Sequence, residues 1–417
     1  MFHFFFDEYK NYLLGDGRLG SIVDALYHKF GVTSLNNIKA EDKLSAMCYA
    51  LNISIDEFDS LIADNSPVLR TVKGHSFEVA LETLLKQNQV SVQDIGGDSD
   101  IDLIVNGHTL QLKTPNEGGT DEYVVEYKTH KTHGAKSEQE SMGYYHDVAS
   151  FADYFVGLIT YDPLQIFIIP KEKLERHHKD DRYIKSPFKL SRDLQRYINN
   201  FYDLGINMDS IDNTCISPRT NELLPKTSRI LGLQSEIIID TILRKENFRI
   251  WDMSIRGFAR EIALKKFLSY EGVSFTDKPS TIRAERGDKS DLVIYQNSGS
   301  CLFVQVKGVS TNNCLFRGYD SIIATETQLT RGRVNDHPTQ SRLYKVSDFD
   351  FLILCLEPAI SYLSGLGQDW FFSAIPSKRL TKHKRFPNRY NSMQHFSSKE
   401  LCEFELTSER INQIVSE

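Results

Sequence analysis

Cysteine is sparse and never paired in this sequence: Cys48, Cys215, Cys301, Cys314, Cys355 and Cys402 lie far apart, with no C-x-x-C among them. That spacing excludes a disulfide framework and a zinc site, fits a reducing compartment, and predicts ordinary buried thiols. Long apolar runs are missing too; none approaches the roughly 18 to 20 residues that span a bilayer. The apolar start, Met1-Phe2-His3-Phe4-Phe5-Phe6, has no basic leader and runs straight into Asp7 and Glu8. No signal peptide is therefore expected, and the chain is read as cytoplasmic with no membrane partner. Excess positive charge is also lacking. At a net charge of −7, any hold on nucleic acid must come from local basic patches or metal ions. No serine or cysteine stands in a nucleophile-elbow motif. Apolar (40%) and charged (25%) residues are present in the usual proportions of soluble globular proteins, so the whole chain is expected to fold.

What the 417 residues do contain is room for two or three domains, and a sequence that repeats itself. Gly74-His75-Ser76-Phe77-Glu78-Val79-Ala80-Leu81 matches Gly257-Phe258-Ala259-Arg260-Glu261-Ile262-Ala263-Leu264, both G-x-x-x-E-(V/I)-A-L at the expected start of an amphipathic helix. Asp102-Leu103-Ile104-Val105 matches Asp291-Leu292-Val293-Ile294, and Leu110-Gln111-Leu112-Lys113 matches Val304-Gln305-Val306-Lys307. Thr132-His133-Gly134 pairs with Thr330-Arg331-Gly332, the apolar strand from Phe151 with the one from Phe349, and Ile169-Pro170 with Ile375-Pro376. The separation only widens, from 183 residues at the glutamates to 206 at the prolines. One ancestral unit whose second copy gained loop residues would give this order, whereas chance matches would scatter.

Within each copy the pattern predicts a helix, two strands, a helical or irregular stretch, and two more strands. Apolar runs separated by longer polar connections imply an α/β core with a central mixed sheet covered by helices. The expected domains are a helical region over 1–70, a first core over 71–190, a helical connection over 191–250 and a second core over 251–417. Residues 20–26 and 44–51 have helical spacing, the latter like the first half of a helix-turn-helix continued by 52–58, although short helix pairs are common in domains that never touch DNA. Residues 231–243 are the most periodic part of the connection.

The repeated chemistry is a carboxylate on a helix (Glu78, Glu261), a carboxylate heading a strand (Asp102, Asp291), and Gln-x-Lys on the next strand (Gln111 and Lys113; Gln305 and Lys307). Residues two apart on a strand share a face. A hard cation such as Mg²⁺ takes one or two carboxylates and keeps waters for the rest of its shell. The aspartate, the glutamine carbonyl oxygen and the helical glutamate would supply such a shell, and the lysine would orient or deprotonate an attacking water or contact a phosphate. The string D-(x)n-Q-x-K with an upstream helical glutamate resembles the PD-(D/E)xK nucleases, in the Gln variant of the Mrr-type restriction enzymes and of the end-cutting subunit of some cut-and-paste transposons. Gly96-Gly97-Asp98-Ser99-Asp100-Ile101-Asp102 and Val304-Gln305-Val306-Lys307-Gly308 add to the likeness; Ile101 and Ser290 stand where the family-name proline would be, and Asp100 is a further candidate ligand. The resemblance covers roughly 70–190 and 250–400. It implies two tandem restriction-endonuclease-like cores and a Mg²⁺-dependent cleavage of double-stranded DNA, in a restriction or defence enzyme that acts as a monomer with two sites or as a homodimer.

His130-x-x-His133 hints at a metal pair, but the second copy has Gln328 and Arg331 in those places, so His133 and Arg331 are read as basic phosphate contacts. After Ile375-Pro376 the chain carries Lys378, Arg379, Lys382, Lys384, Arg385 and Arg389 with no acidic residue through Tyr390. That suits a loop tracking a phosphate backbone. The first copy is mixed there, with Lys171, Lys173, Arg176 and Lys179 among Glu172, Glu175, Asp180 and Asp181.

Overall fold

The computed structural model of the chain describes residues 38–95, 101–114, 116–118, 122–125, 147–178, 180–185, 188–190, 192–207, 211–244, 250–277, 290–328 and 342–416. The chain is mixed α/β and divides into two compact units, a first of Ile55–Trp251 and a second drawn from Met1–Ser54 and Asp252–Glu417. The described helices before residue 70 fall in different units: α1 (Ala40–Leu51) in the second, α2 (Ile55–Ala63) in the first.

In the first unit α3 spans Ser66–Gln87. It begins well before the repeated motif because Pro67 at its first turn has the φ a helix start requires and no N–H to leave unpaired. Gly74 is therefore mid-helix, not at the start as its spacing suggests. A mixed five-stranded sheet follows in the order β1-β2-β3-β6-β7, built from β1 (Val92–Asp94), β2 (Leu103–Val105), β3 (His108–Lys113), β6 (Tyr154–Tyr161) and β7 (Leu164–Pro170). Asn106 and Gly107, both at positive φ (49° and 88°), close the two-residue hairpin between β2 and β3. Only β3 and β6 run parallel.

The stretch between β3 and β6 contains strands in its described part, β4 (Asn116–Gly118) and β5 (Glu122–Val125), where a helical or irregular segment was expected. β8 (Arg176–His177) and β9 (Asp180–Ile184) form a ribbon, and β10 (Phe188–Leu190) pairs with β5. The periodic run 231–243 is interrupted: α4 (Pro225–Leu231) stops at Gly232, φ 72°, before α5 (Ser235–Leu243). Both helices pack within the first unit, α4 on α2 and α5 on α3. No side chain of its own caps α4. Asp59 of α2 does so across the fold, accepting from Lys226 N (2.8 Å), Thr227 N (2.9 Å) and Thr227 Oγ1 (2.6 Å).

The second unit repeats the order of pairing. A π-helical turn, Ile250–Ile255, leads into α6 (Arg256–Tyr270), and the sheet runs β11-β12-β13-β15-β16 with only β13 and β15 parallel. Its strands are β11 (Phe275–Thr276), β12 (Leu292–Tyr295), β13 (Cys301–Lys307), β15 (Phe351–Leu356) and β16 (Phe371–Pro376). The intervening β14 (Ile322–Glu326) pairs with β17 (Met393–Ser397), as β5 does with β10. Helices α7 (Pro358–Leu363), α8 (Ser398–Glu403) and α9 (Ser408–Ser416) complete it.

Period-2 alternation splits the sheet into two buried faces. Leu292, Ile294, Val304, Ile353, Cys355, Phe372 and Ala374 pack with Leu264 and Leu268 of α6. Val293, Phe303, Leu352, Leu354, Leu356, Phe371 and Ile375 pack into the other core cluster. Both faces being covered explains why β15 reads as an uninterrupted apolar run.

Equivalent backbone hydrogen bonds recur in both units. Val90 N donates to Leu85 O and Val273 N to Leu268 O, both at 2.9 Å; Asp102 N reaches Leu110 O at 2.8 Å and Asp291 N reaches Val304 O at 3.0 Å. The register corrects one sequence match. Lys113 lies opposite Gly157 and Lys307 opposite Leu354, so Tyr154 corresponds to Phe351, one residue away from the pairing of Phe151 with Phe349.

None of the six cysteines is joined in a disulfide. Cys48, Cys314 and Cys355 are buried, but Cys215, Cys301 and Cys402 are only partly so, which corrects the expectation of six buried thiols. Among the described residues no helix is long and apolar enough to cross a membrane.

Candidate active site

Each unit brings its four repeated residues into mutual reach. In the first, one Asp102 oxygen, Oδ2, accepts from Gln111 Nε2 and from Leu112 N, both at 2.5 Å. In the second, Asp291 Oδ2 accepts from Gln305 Nε2 and from Val306 N at 3.0 Å. The strand geometry forces this pairing: the aspartate precedes its strand, and the hairpin folds the next strand back across it.

Both glutamines are buried, and each turns its amide nitrogen to the aspartate. The carbonyl oxygen expected to face a cation beside the aspartate points elsewhere. In the second unit that oxygen, Gln305 Oε1, is buried without a hydrogen-bond partner. A buried acceptor left unpaired costs roughly 1–3 kcal/mol, so the site has an acceptor without a donor.

Glu78 lies within electrostatic reach of Asp102 and Lys113. Burial first, then the charges of Asp102 and Asp94, push its carboxyl up to about 7, against the pull of Arg244 and Lys113. Burial also raises Asp102, opposed by Lys113 and the bonds from Leu112 and Gln111. In the second unit burial raises Glu261, with Lys265 opposing and Asp291 adding. Burial raises Asp291 against Lys307 and the bonds from Val306 and Gln305; its side chain is 38% exposed, so solvent screens part of that push. Lys307, 23% exposed, stands 4.0 Å from Asp291 Oδ2 with its ammonium 5.5 Å from the Tyr344 ring centre. Burial lowers its pKa, opposed by Asp291 and reinforced by Arg260. These are the perturbations expected of groups assembled for chemistry.

The two surroundings differ. In the first unit Arg244 bridges Glu82 (2.5 Å) and Asp94 (3.0 Å). In the second, Lys265 stands where the first has Glu82 and pairs directly with Asp277 (3.0 Å), the counterpart of Asp94, and with Glu261 (3.9 Å). Sequence reasoning missed Asp94 and Arg244, because neither belongs to the matched blocks.

Also missed were Asp153 and Asp350, which tie the two parallel strands together. Thr109 N donates to Asp153 Oδ2 (3.0 Å) and Phe303 N to Asp350 Oδ2 (2.9 Å). Their carbonyls accept from Lys171 N (3.0 Å) and Ser377 N (2.8 Å). Both stand just before a strand that the sequence shows, and the shifted match put them out of step.

Two carboxylates suit a Mg²⁺ that keeps most of its water, while the glutamine amide, with its nitrogen on the aspartate, offers that ion no oxygen beside it. Among the described residues there is no cluster of three or more His, Cys, Asp or Glu side chains able to hold a metal, so a site built wholly from such ligands does not fit.

His133 and Arg331 lie outside the described residues, as do Asp98, Asp100, His130 and residues 20–26. Of the basic segment, Lys378, Arg379, Lys382, Lys384 and Arg385 are exposed. Arg389 is partly buried, and its guanidinium is bonded to Leu343 O, a structural use. Lys382 bridges to Tyr390, closing a hairpin. Tyr390 packs on Phe349 (5.5 Å) and Phe349 on Tyr344 (5.4 Å), the ring beside Lys307. A run of three contacting aromatic rings thus joins the hairpin to the candidate site.

No known family model matches this sequence, and no curated protein matches it.

Proposed function

We propose that this chain is a Mg²⁺-dependent endonuclease that hydrolyses phosphodiester bonds in double-stranded DNA, with one site in each of two tandem restriction-endonuclease-like cores. The observation that carries the reading is the recurrence, in two units with the same strand order, of an aspartate bonded to the glutamine and to the following backbone N–H of a Gln-x-Lys strand. Glu78 and Asp102, with Gln111 beside them, would hold one ion; Glu261 and Asp291, with Gln305, would hold the other. A bound Mg²⁺ would acidify a water and offset charge building up on the phosphate. Lys307 Nζ, biased by burial toward its neutral form, is suited to take a proton from an attacking water, or as the ammonium to contact the phosphate. Lys113 has the same place in the first unit. The exposed cations Lys378 and Arg379, and Lys382, Lys384 and Arg385 of the following hairpin, would follow the DNA backbone.

The narrower reading as a restriction or defence enzyme rests on the motif resemblance. A second reading, a nucleic-acid-binding protein that does not cut, is favoured by one feature: both glutamines present nitrogen, not oxygen, to the aspartate. The deciding experiment is digestion of defined plasmid and RNA with and without Mg²⁺, beside calorimetric titration of the metal. Mg²⁺-dependent cutting of plasmid that disappears in the K113A/K307A double variant supports the nuclease. DNA binding with neither metal binding nor cleavage supports the second reading, and cleavage of RNA alone would replace the substrate.

A further inference from the structure

Arg260, immediately before Glu261, has no counterpart in the first unit, where Phe77 takes its place. Its Nε donates to Arg256 O (2.9 Å). Arg256 itself is held by Glu357 in a two-pronged buried ion pair, Nε to Oε2 at 2.9 Å and Nη2 to Oε1 at 2.7 Å. That pair consumes Glu357, and among the described residues no carboxylate forms an ion pair with Arg260.

The Nη1 end of the guanidinium fills the space beside Gly308, the residue after Lys307. A Cβ on Gly308 would fall 1.0 Å from Arg260 Nη1 and 2.1 Å from its Cζ. Gly308 is thus the only kind of residue that leaves this space to the arginine. In the first unit Thr114 follows Lys113, and no arginine needs the room. The charge balance follows the same division. The first site sets Lys113 and Arg244 against Glu78, Asp102 and Asp94, whereas the second sets Lys307, Lys265 and also Arg260 against Glu261, Asp291 and Asp277, one cation more.

We infer that Arg260, seated on Gly308 beside Lys307, forms an anion subsite in the second unit that binds a phosphate group, and that the first unit lacks it. Two adjacent cations, one a planar fork of donors, match the tetrahedral oxygens of a phosphate. The inference rests on the nuclease reading only for whose phosphate is bound, and it makes the second site the one that grips substrate before any metal arrives.

The test uses the full chain labelled with ¹⁵N-arginine and inorganic phosphate as the probe, following the Arg260 Nε–H resonance assigned by its loss in R260K. A saturable shift is expected in the wild type. Affinity should fall about tenfold or more in R260Q and in G308A. G308A keeps every charge and only evicts the end of a flexible side chain, and because Gly308 is not at positive φ, alanine is tolerated there. K307A should weaken binding, and K113A should not. Phosphate affinity unchanged in both R260Q and G308A overturns the inference. Should plasmid remain uncut while the Arg260-dependent shift persists, the nuclease reading falls and the subsite stands. Should plasmid be cut while phosphate affinity ignores both substitutions, the reverse holds.

Discussion

Glu78→Gln should make the first unit more stable, and increasingly so as pH rises. The carboxyl is half-buried on α3 near Asp102 and Asp94, and its folded pKa of about 7 lies above the ordinary 4.5 of a glutamate. A carboxyl raised in this way favours the fold while it is protonated. That advantage is fully present below the unfolded pKa and is lost as pH climbs through about 7, because the folded state then binds more protons than the unfolded one. At 1.36 kcal/mol per unit, the cost of ionising Glu78 in place is on the order of 3 kcal/mol at high pH, an upper limit for a side chain that keeps some solvent. The neutral isostere removes that cost. Between about pH 5 and about pH 8 the advantage of E78Q should grow by roughly 2 kcal/mol. Urea unfolding at both pH values, with the first unit's transition followed separately, measures it. Adding Mg²⁺ at the higher pH should stabilise the wild type and not the variant. A gain from E78Q that is equal at both pH values, or a loss at both, would refute the claim that Glu78 is held charged against its environment.

Lys113→Ala should leave an enzyme that nicks supercoiled plasmid through the second site, and Lys307→Ala one that nicks through the first, each losing about 10²-fold in the other step; linearisation at the wild-type rate by either variant would show its lysine to be idle. Glu357→Gln should destabilise the second unit by about 3–5 kcal/mol, because Arg256 is left buried without its partner, read as an earlier unfolding transition of that unit alone. Asp59→Ala should cost the first unit roughly 1–3 kcal/mol by orphaning the N–H groups at the start of α4. Neutralising Lys382, Lys384 and Arg385 together should flatten the salt dependence of DNA affinity by about three units of log–log slope, and an unchanged slope would remove that hairpin from the binding surface.

The parts of the site that the sequence displayed are those fixed by short-range geometry. Gln-x-Lys reads from a strand's period of two, and the aspartate reads from its place at the head of the neighbouring strand; a hairpin between them makes their contact automatic. The widening between Asp and Gln in the second copy is simply the longer β12–β13 turn, closed by Gly299 at φ 84°. What the sequence hid depends on partners far along the chain. The pattern of Phe151-Ala152-Asp153 and Phe349-Asp350-Phe351 offers apolar residues on either side of an aspartate, so apolarity alone cannot set the register. The pairing with the adjacent parallel strand, and the bonds from Thr109 N and Phe303 N on it, identify Asp153 and Asp350 as equivalent. The start of α3 was likewise set by Pro67 rather than by the repeated glycine.

The substitution of Glu82 by Lys265 shows how a repeat can keep a charge arrangement while losing its sequence. The first unit has an acid there and brings in Arg244 to hold Asp94; the second has a base there and holds Asp277 without help. Either device sets one cation beside the helical glutamate, since Arg244 lowers Glu78 as Lys265 lowers Glu261. The doubly changed variant E82K/R244Q should therefore behave as a graft of the second arrangement into the first. If the cation's position is what matters, E82K/R244Q should recover most of the stability lost in R244Q alone, which takes its cation from Asp94 and leaves Glu82 with Lys86 only, a broken, partly buried network costing about 1–3 kcal/mol. The comparison is a thermal or urea series on R244Q, E82K and the double variant, in which the coupling between the two substitutions should be favourable. Strict additivity would mean that Arg244 acts through contacts Lys265 does not reproduce, and the two networks would then be unrelated solutions rather than one device placed on different elements.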